Sequence, residues 1–308
     1  MVTVKRSNAI RQTAGERAFN ICNIIFMLAL CLIMLYPVYY VLILSVNEGT
    51  DSMKGGIWFW PRAFTMYNYQ YVLSNGLLQN SYMITISRTV LGTLFGLTVN
   101  SLAAYTLSER NIPFKRLLMT FVLIPMLFSG GLIPYFLQLR NLGLFNTFWV
   151  FVIPSLVNVW NIFVMKQFFQ DIPDSLRESA RIDGATHLQV LVKIILPLSL
   201  PMLASLGLFT AVGHWNDWFS GAFYVQTNEL MPVQTYLQKL LTADNISMVK
   251  SNNTLNAEAA FRESQTSRMT ATSVKMAAVM VGTLPILCVY PFLQKYFVKG
   301  MLTGSVKG

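Results

Sequence analysis

The sequence predicts an all-α polytopic membrane protein with six transmembrane helices, and three observations carry that prediction. Of 308 residues, 54% are hydrophobic and only 12% are charged. A soluble domain of this size carries about a quarter charged residues, so lipid is the expected solvent. Six apolar segments each approach the ~20 residues a helix needs to cross a bilayer. Lys and Arg are shared unevenly between the stretches joining those segments, as in an oriented membrane chain.

The first segment, Phe19–Val46, follows a basic leader (residues 1–17) carrying Lys5, Arg6, Arg11 and Arg17. Its apolar run is too long for a signal-peptide core and no small-x-small cleavage site follows, so it reads as an anchor that stays. The second, Leu78–Leu107, holds one charge, Arg88, and a Gly92-x-x-x-Gly96 spacing suited to close approach by a companion helix. The third and fourth are Leu117–Leu139 and Thr147–Met165. The fifth, Ile194–Trp215, ends in His214, Trp215, Asn216, Asp217 and Trp218, and the sixth is Met276–Leu293. The domain reading is therefore a leader, a membrane domain over 18–298 and a tail over 299–308. The membrane domain includes a long external loop over 213–271.

With the N-terminus in the cytoplasm, the inner stretches carry fourteen Lys and Arg and the outer ones eight. Both termini are thus expected in the cytoplasm. The net charge of +10 is a topology signal and a poor argument for nucleic acid, because no basic stripe interleaves with exposed aromatics.

Several chemistries find no support. No Gly is followed by Lys, so the chain lacks a GxxxxGK[ST] phosphate loop. His187 and His214 fall on opposite sides of the membrane and have no ligand cluster, so no metal site is expected. Cys22, Cys31 and Cys288 lie in apolar runs and read as packing residues. No Asp or Glu falls inside the six segments, which argues against an ion-coupled carrier or channel acting alone. The chain reads as a non-enzyme without an internal repeat.

Between the fourth and fifth segments lies "RESARIDGATHLQVLVKIILPLSLP" within a cytoplasmic stretch. Ser175 and Glu178 fit a capping box opening a short helix to about Ile182, and Asp183-Gly184 stops it. Thr186 and Gln189 fit a second box, opening a helix that continues into the membrane. From local physics alone, this is a well-capped helix–turn–helix over 173–190.

That loop resembles the EAA loop of the membrane subunits of ABC importers, in particular the smaller permease of the maltose-type, carbohydrate-importing family. Glu178, Ser179, Ala180, Asp183, Gly184, Ala185 and Pro197 stand at the family's positions, with Ser179 replacing the usual Ala. The resemblance implies the type I importer permease fold, in a bacterial cytoplasmic membrane. It implies a coupling helix that docks on an ATPase subunit. The implied partners are a homologous second permease, two ATPases that hold ATP and Mg, an external solute-binding protein and an oligosaccharide. No cofactor is expected on this chain. "QKYFVKGMLTGSVKG" resembles the family's C-terminal tail, placing Lys299, Gly300, Gly304, Lys307 and Gly308 at the interface between the ATPases. A basic tail on anionic lipid is the alternative. "FSGGLIPYFLQLRNLGLFNTFWVFVIP" and "HWNDWFSGAFYV" resemble the complex-oligosaccharide branch. A permease of the same architecture for a non-sugar solute is the alternative.

Arg88, Trp215, Asn216 and Asp217 are the candidate solute-path residues. A charge inside a span costs ~2.5–3.5 kcal/mol and faces a cavity or a partner, so Arg88 either pairs with the companion subunit, snorkels toward the outer surface or meets an acidic sugar. Pairing and snorkelling stand ahead of direct binding. Trp218 reads as an interfacial belt residue.

Overall fold

The computed structural model describes residues 13–110, 112–242 and 270–305, with side chains as far as residue 288. Regular structure among these residues is helical, apart from one isolated bridge between Asn47 and Phe64. Three helices are long and apolar enough to cross a membrane, and three bent helix pairs bring the number of spans to six.

Helix α1 (Ala14–Ser45) is opened by a capping box between Thr13 and Glu16. Most of its apolar surface is exposed on the isolated chain, as at Phe19, Phe26 and Ile33. Cys22 and Cys31 lie on that surface and Cys288 is also exposed, so the three cysteines do not fill the core. In a bilayer such a surface meets lipid or another helix, neither of which is an aqueous exposure.

Helix α2 (Gly76–Ser108) is the central rod. Its buried residues are mostly small or polar, among them Ser81, Thr85, Gly92, Gly96, Asn100 and Ala104, so neighbouring helices approach closely.

The third, fourth and fifth spans are broken where the sequence predicts single helices. Helix α3 (Lys115–Leu127) is followed by α4 (Leu132–Asn141) at 115°. The break centres on Gly131, whose φ of +83° suits glycine, and Pro134 is tolerated in the first turn of α4. A short 3₁₀ stretch over Phe148–Ser155 meets α5 (Val159–Gln170) at 44°. Asn158 caps α5 by accepting from Asn161 N at 3.0 Å. The interhelical helix α6 (Asp174–Ile182) comes next. The helical run His187–Leu198 passes through a π turn at Leu191–Ile195, then meets α7 (Leu200–Asn216) at 84°. Pro197 and Pro201 flank this corner and each lacks a backbone donor, so the predicted continuous helix turns at Ser199 instead.

The stretch after α7 is not a plain loop. Helices α8 (Phe219–Tyr224) and α9 (Val233–Thr242) fold back on the bundle. Val233, Tyr236, Leu237 and Leu240 recur at helical spacing and pack with Leu78, Val274, Ala277 and Ala278. Residues 243–269 of that stretch lie outside the described residues. Helix α10 (Ala271–Ser305) overruns the predicted sixth segment and continues without a break across the 298/299 boundary.

Candidate functional site

In the loop between α5 and α7, α6 begins at Asp174, with Pro173 at the cap position and no side-chain cap bond. The predicted N-cap role of Ser175 is therefore corrected: Ser175 lies within the first turn. Asp174 carries the negative charge favoured at a helix N-terminus and pairs with Arg110 at 2.9 Å. The C-terminus is as the sequence predicts. Gly184 has φ +82°, Ala185 N donates to Ala180 O at 2.9 Å, and Gly184 N donates to Arg181 O at 3.0 Å. This is a Schellman stop. The Thr186–Gln189 capping box is also present.

This loop has two sides. Ala180 and Ala185 pack against the core, while Glu178, Ser179, Asp183 and Gly184 are exposed. Ile182 is 86% exposed and Leu188 62%, so an apolar surface stands beside the Glu178 carboxylate. Arg177 points the other way. Its guanidinium is buried, donates to Phe169 O, stacks over Tyr105 at 5.9 Å and pairs with Glu109 at 3.6 Å. Glu109 also accepts from Arg181 at 2.8 Å. That hydrogen bond is the main cause holding the Arg181 pKa above its ordinary value. The loop is thus anchored to the C-terminal end of α2. Pro197 lies at the corner into α7.

Within the membrane, α2, α5, α7 and the Phe148–Ser155 stretch enclose a cavity of about 450 Å³. That volume falls within the roughly 300–1,000 Å³ of small-molecule sites. Its polar lining includes Asn100, Asn158, Asn161, Thr210, His214 and Asp217, and its aromatic lining Tyr135, Phe151, Trp160 and Phe209. Asn100 accepts from Asn158 N at 3.0 Å, and Asn161 donates to Thr210 at 3.2 Å. Sequence reasoning missed these asparagines. Their signal was available, because polar amides inside apolar spans are costly to bury without partners.

Arg88 does not line this cavity. It is fully buried behind the wall, donates to His214 O and to Asp217 O (2.6 Å), and stands 3.5 Å from the Asp217 carboxylate. The Phe151 ring covers its guanidinium at 5.1 Å. The geometry is none of the three sequence alternatives as stated: Arg88 pairs, but with Asp217 of the same chain and not with a companion subunit. Asp217 reaches the cavity and also accepts from Ser220 N at 3.1 Å, opening α8. Trp215 turns away from the cavity, donating to Gly282 O at 3.2 Å beside Tyr82. Asn216 is exposed, and Trp218 is 41% exposed. Both glycines of the Gly92-x-x-x-Gly96 pair are approached from within this chain, by the His214 ring and by the carbonyls of Ser155 and Leu156. Lys299, Gly300 and Gly304 lie in α10, whereas Lys307 and Gly308 are outside the described residues. Among the described residues, no three His, Cys, Asp or Glu are grouped to hold a metal.

A helical bundle with membrane-spanning lengths, a polar cavity among its helices and an anchored loop with an exposed outer side fits a transport subunit. The chain belongs to the family of binding-protein-dependent transport system inner membrane components, whose model matches residues 89–303. Among its relatives, Protein LplC of Bacillus subtilis (strain 168) is 36% identical over 301 residues, covering 98% of this chain and 99% of the relative. The polygalacturonan/rhamnogalacturonan transport system permease protein YtcP of the same organism is 36% identical over 293 residues, covering 95% and 99%. A chain of a bacterial ABC transporter involved in the import of the acidic polysaccharide alginate superposes with a TM-score of 0.85 at 31% identity, covering 94% of this chain and all of that one.

Proposed function

We propose that this chain forms half of the translocation path of an ATP-driven oligosaccharide importer and performs no covalent chemistry itself. The observation that carries the reading is the amide- and aromatic-lined cavity at membrane depth, joined through α2 to a loop helix that presents Glu178 outward. A homologous permease would close the open side of the cavity, two ATPases with their ATP and Mg would take the cytoplasmic loop, and an external binding protein would deliver the sugar. The substrate class is supported by the transport roles named for YtcP and for the alginate importer. Both termini would face the cytoplasm by the Lys and Arg asymmetry. The tail from Lys299 to Gly308 would enter the ATPase interface.

The deciding experiment is reconstitution of the four-subunit complex in proteoliposomes with its binding protein. Oligosaccharide should stimulate ATP hydrolysis and accumulate inside. Uptake by this chain without ATPases would instead mark a carrier acting alone, and stimulation by a non-sugar solute would replace the substrate class.

A further inference from the structure

Outside the loop, the cavity holds the one feature whose chemistry names a ligand. Trp160 lines it and is 62% exposed, so an indole face is offered at membrane depth. The carbonyl of Asn158 is engaged in capping α5, accepting from Asn161 N at 3.0 Å. Its amide nitrogen has no protein partner among the described residues, and Asn158 is exposed in the same wall. The Tyr135 side chain, 44% exposed, stands in the lining too. A flat aromatic face takes the C–H face of a pyranose ring, while amides and phenols donate to and accept from its hydroxyls.

Charge is handled differently. Among the described residues, no Lys or Arg lines the cavity. Its one carboxylate, Asp217, is paired at 3.5 Å with Arg88, which is itself fully buried. A uronate against this wall would find no exposed guanidinium for a charge-assisted, bidentate contact. We infer that the wall is a sugar-ring subsite built on Trp160, Asn158 and Tyr135 that reads hydroxyls and is indifferent to the substrate's carboxylates. The inference rests on the oligosaccharide-import reading above. It assigns recognition of acidic groups to surfaces outside this cavity wall.

The test compares two probes of equal length, an oligogalacturonide and its fully methyl-esterified form, in the reconstituted complex at saturating binding protein. Uptake is expressed per assembled complex, so a folding loss does not count as a binding loss. Trp160→Leu keeps an apolar side chain without a ring, and Trp160→Phe keeps a ring. Asn158→Ser keeps a cap acceptor and removes the amide donor. We expect Trp160→Leu and Asn158→Ser to slow both probes about tenfold and to the same degree, the loss of roughly one good contact. Trp160→Phe should recover most of the Leu deficit. A loss confined to the acidic probe would overturn charge indifference. Unchanged uptake in both variants would overturn the subsite, and equal rates for Phe and Leu would overturn stacking. Failure of the unaltered complex to import either probe would overturn the oligosaccharide reading itself, and this inference with it.

Discussion

Glu109 accepts from Arg181 at 2.8 Å and stands 3.6 Å from the buried Arg177, so one carboxylate at the end of α2 holds two arginines of the α6 loop. The same helix carries Arg88 twenty-one residues away, bound to the outer end of α7. At 1.5 Å per residue these anchors lie about 30 Å apart along one rod. A displacement of the loop would therefore have two routes to the cavity wall, through α2 and through the corner at Ser199.

Glu109→Gln should uncouple the complex. Removing the carboxylate strips the counter-charge from buried Arg177, a change that costs about 3–5 kcal/mol in comparable pairs. The half-exposed Arg181 contact adds less, because solvent screens it. Oligosaccharide-stimulated ATP hydrolysis should fall severalfold per assembled complex. Stimulation at the wild-type level would reject the anchor.

The loop's outward side gives a second prediction. Glu178→Ala removes an exposed charge that makes no ion pair among the described residues, so the isolated fold should tolerate it. Stimulated hydrolysis should be lost nonetheless, if that carboxylate meets the ATPase. At Gly184 no atom would lie within 4 Å of an added Cβ, so the only penalty is φ +82°. Gly184→Val should impair stimulation, since a β-branched residue resists that region, while Gly184→Asn should retain most of it. Equal loss for Val and Asn would show that contact, and not backbone conformation, selects glycine there.

The loop was legible in the sequence because its signals are local: a glycine stop and a Thr186–Gln189 box act within a few residues. Ser175 misled because Pro173 and Asp174 open the helix two residues earlier. The breaks at Gly131 and Ser199 were less legible, since apolar composition alone does not separate a straight span from a bent one. Helix α9 was missed because its buried apolar residues are interleaved with Gln234, Thr235, Gln238 and Lys239, which reads as loop until α10 is known to lie beneath. The pairing of Arg88 with Asp217 spans more than a hundred residues, and no local pattern announces it.

That pair yields a third prediction. Asp217→Asn keeps an acceptor for Ser220 N yet removes the charge opposite Arg88, leaving a buried guanidinium unpaired. Complex yield should drop, as breaking one side of a buried pair does. Combining it with Arg88→Met should recover yield, because no unpaired charge then remains. Arg88→Lys should not substitute, since one ammonium does not reproduce a fork reaching His214 O, Asp217 O and the carboxylate together. Failure of the double variant to exceed Asp217→Asn would show that Arg88 is needed for more than offsetting that charge.

The last prediction concerns Gly92, where the packing is tightest. A Cβ built there would sit 2.4 Å from Nε2 of His214 and 2.5 Å from Cε1, closer than any real contact. The imidazole is ring-stiff and 9% exposed, so it has little room to withdraw. Gly92→Ala should therefore destabilise by about 1–3 kcal/mol, the range for overpacking a filled interior. His214→Ala removes the ring but keeps the backbone carbonyl that Arg88 uses, so the Arg88 anchor survives. In Gly92→Ala/His214→Ala the new methyl enters space the ring has vacated, and the double variant should be more stable than the sum of the singles predicts. Thermal inactivation of the purified complex measures all four corners of that cycle, and neighbouring residues of this kind couple by about 0.5–3 kcal/mol. Strict additivity would mean that His214 is not what confines Gly92, and would return the Gly92-x-x-x-Gly96 face to the role of meeting a companion helix.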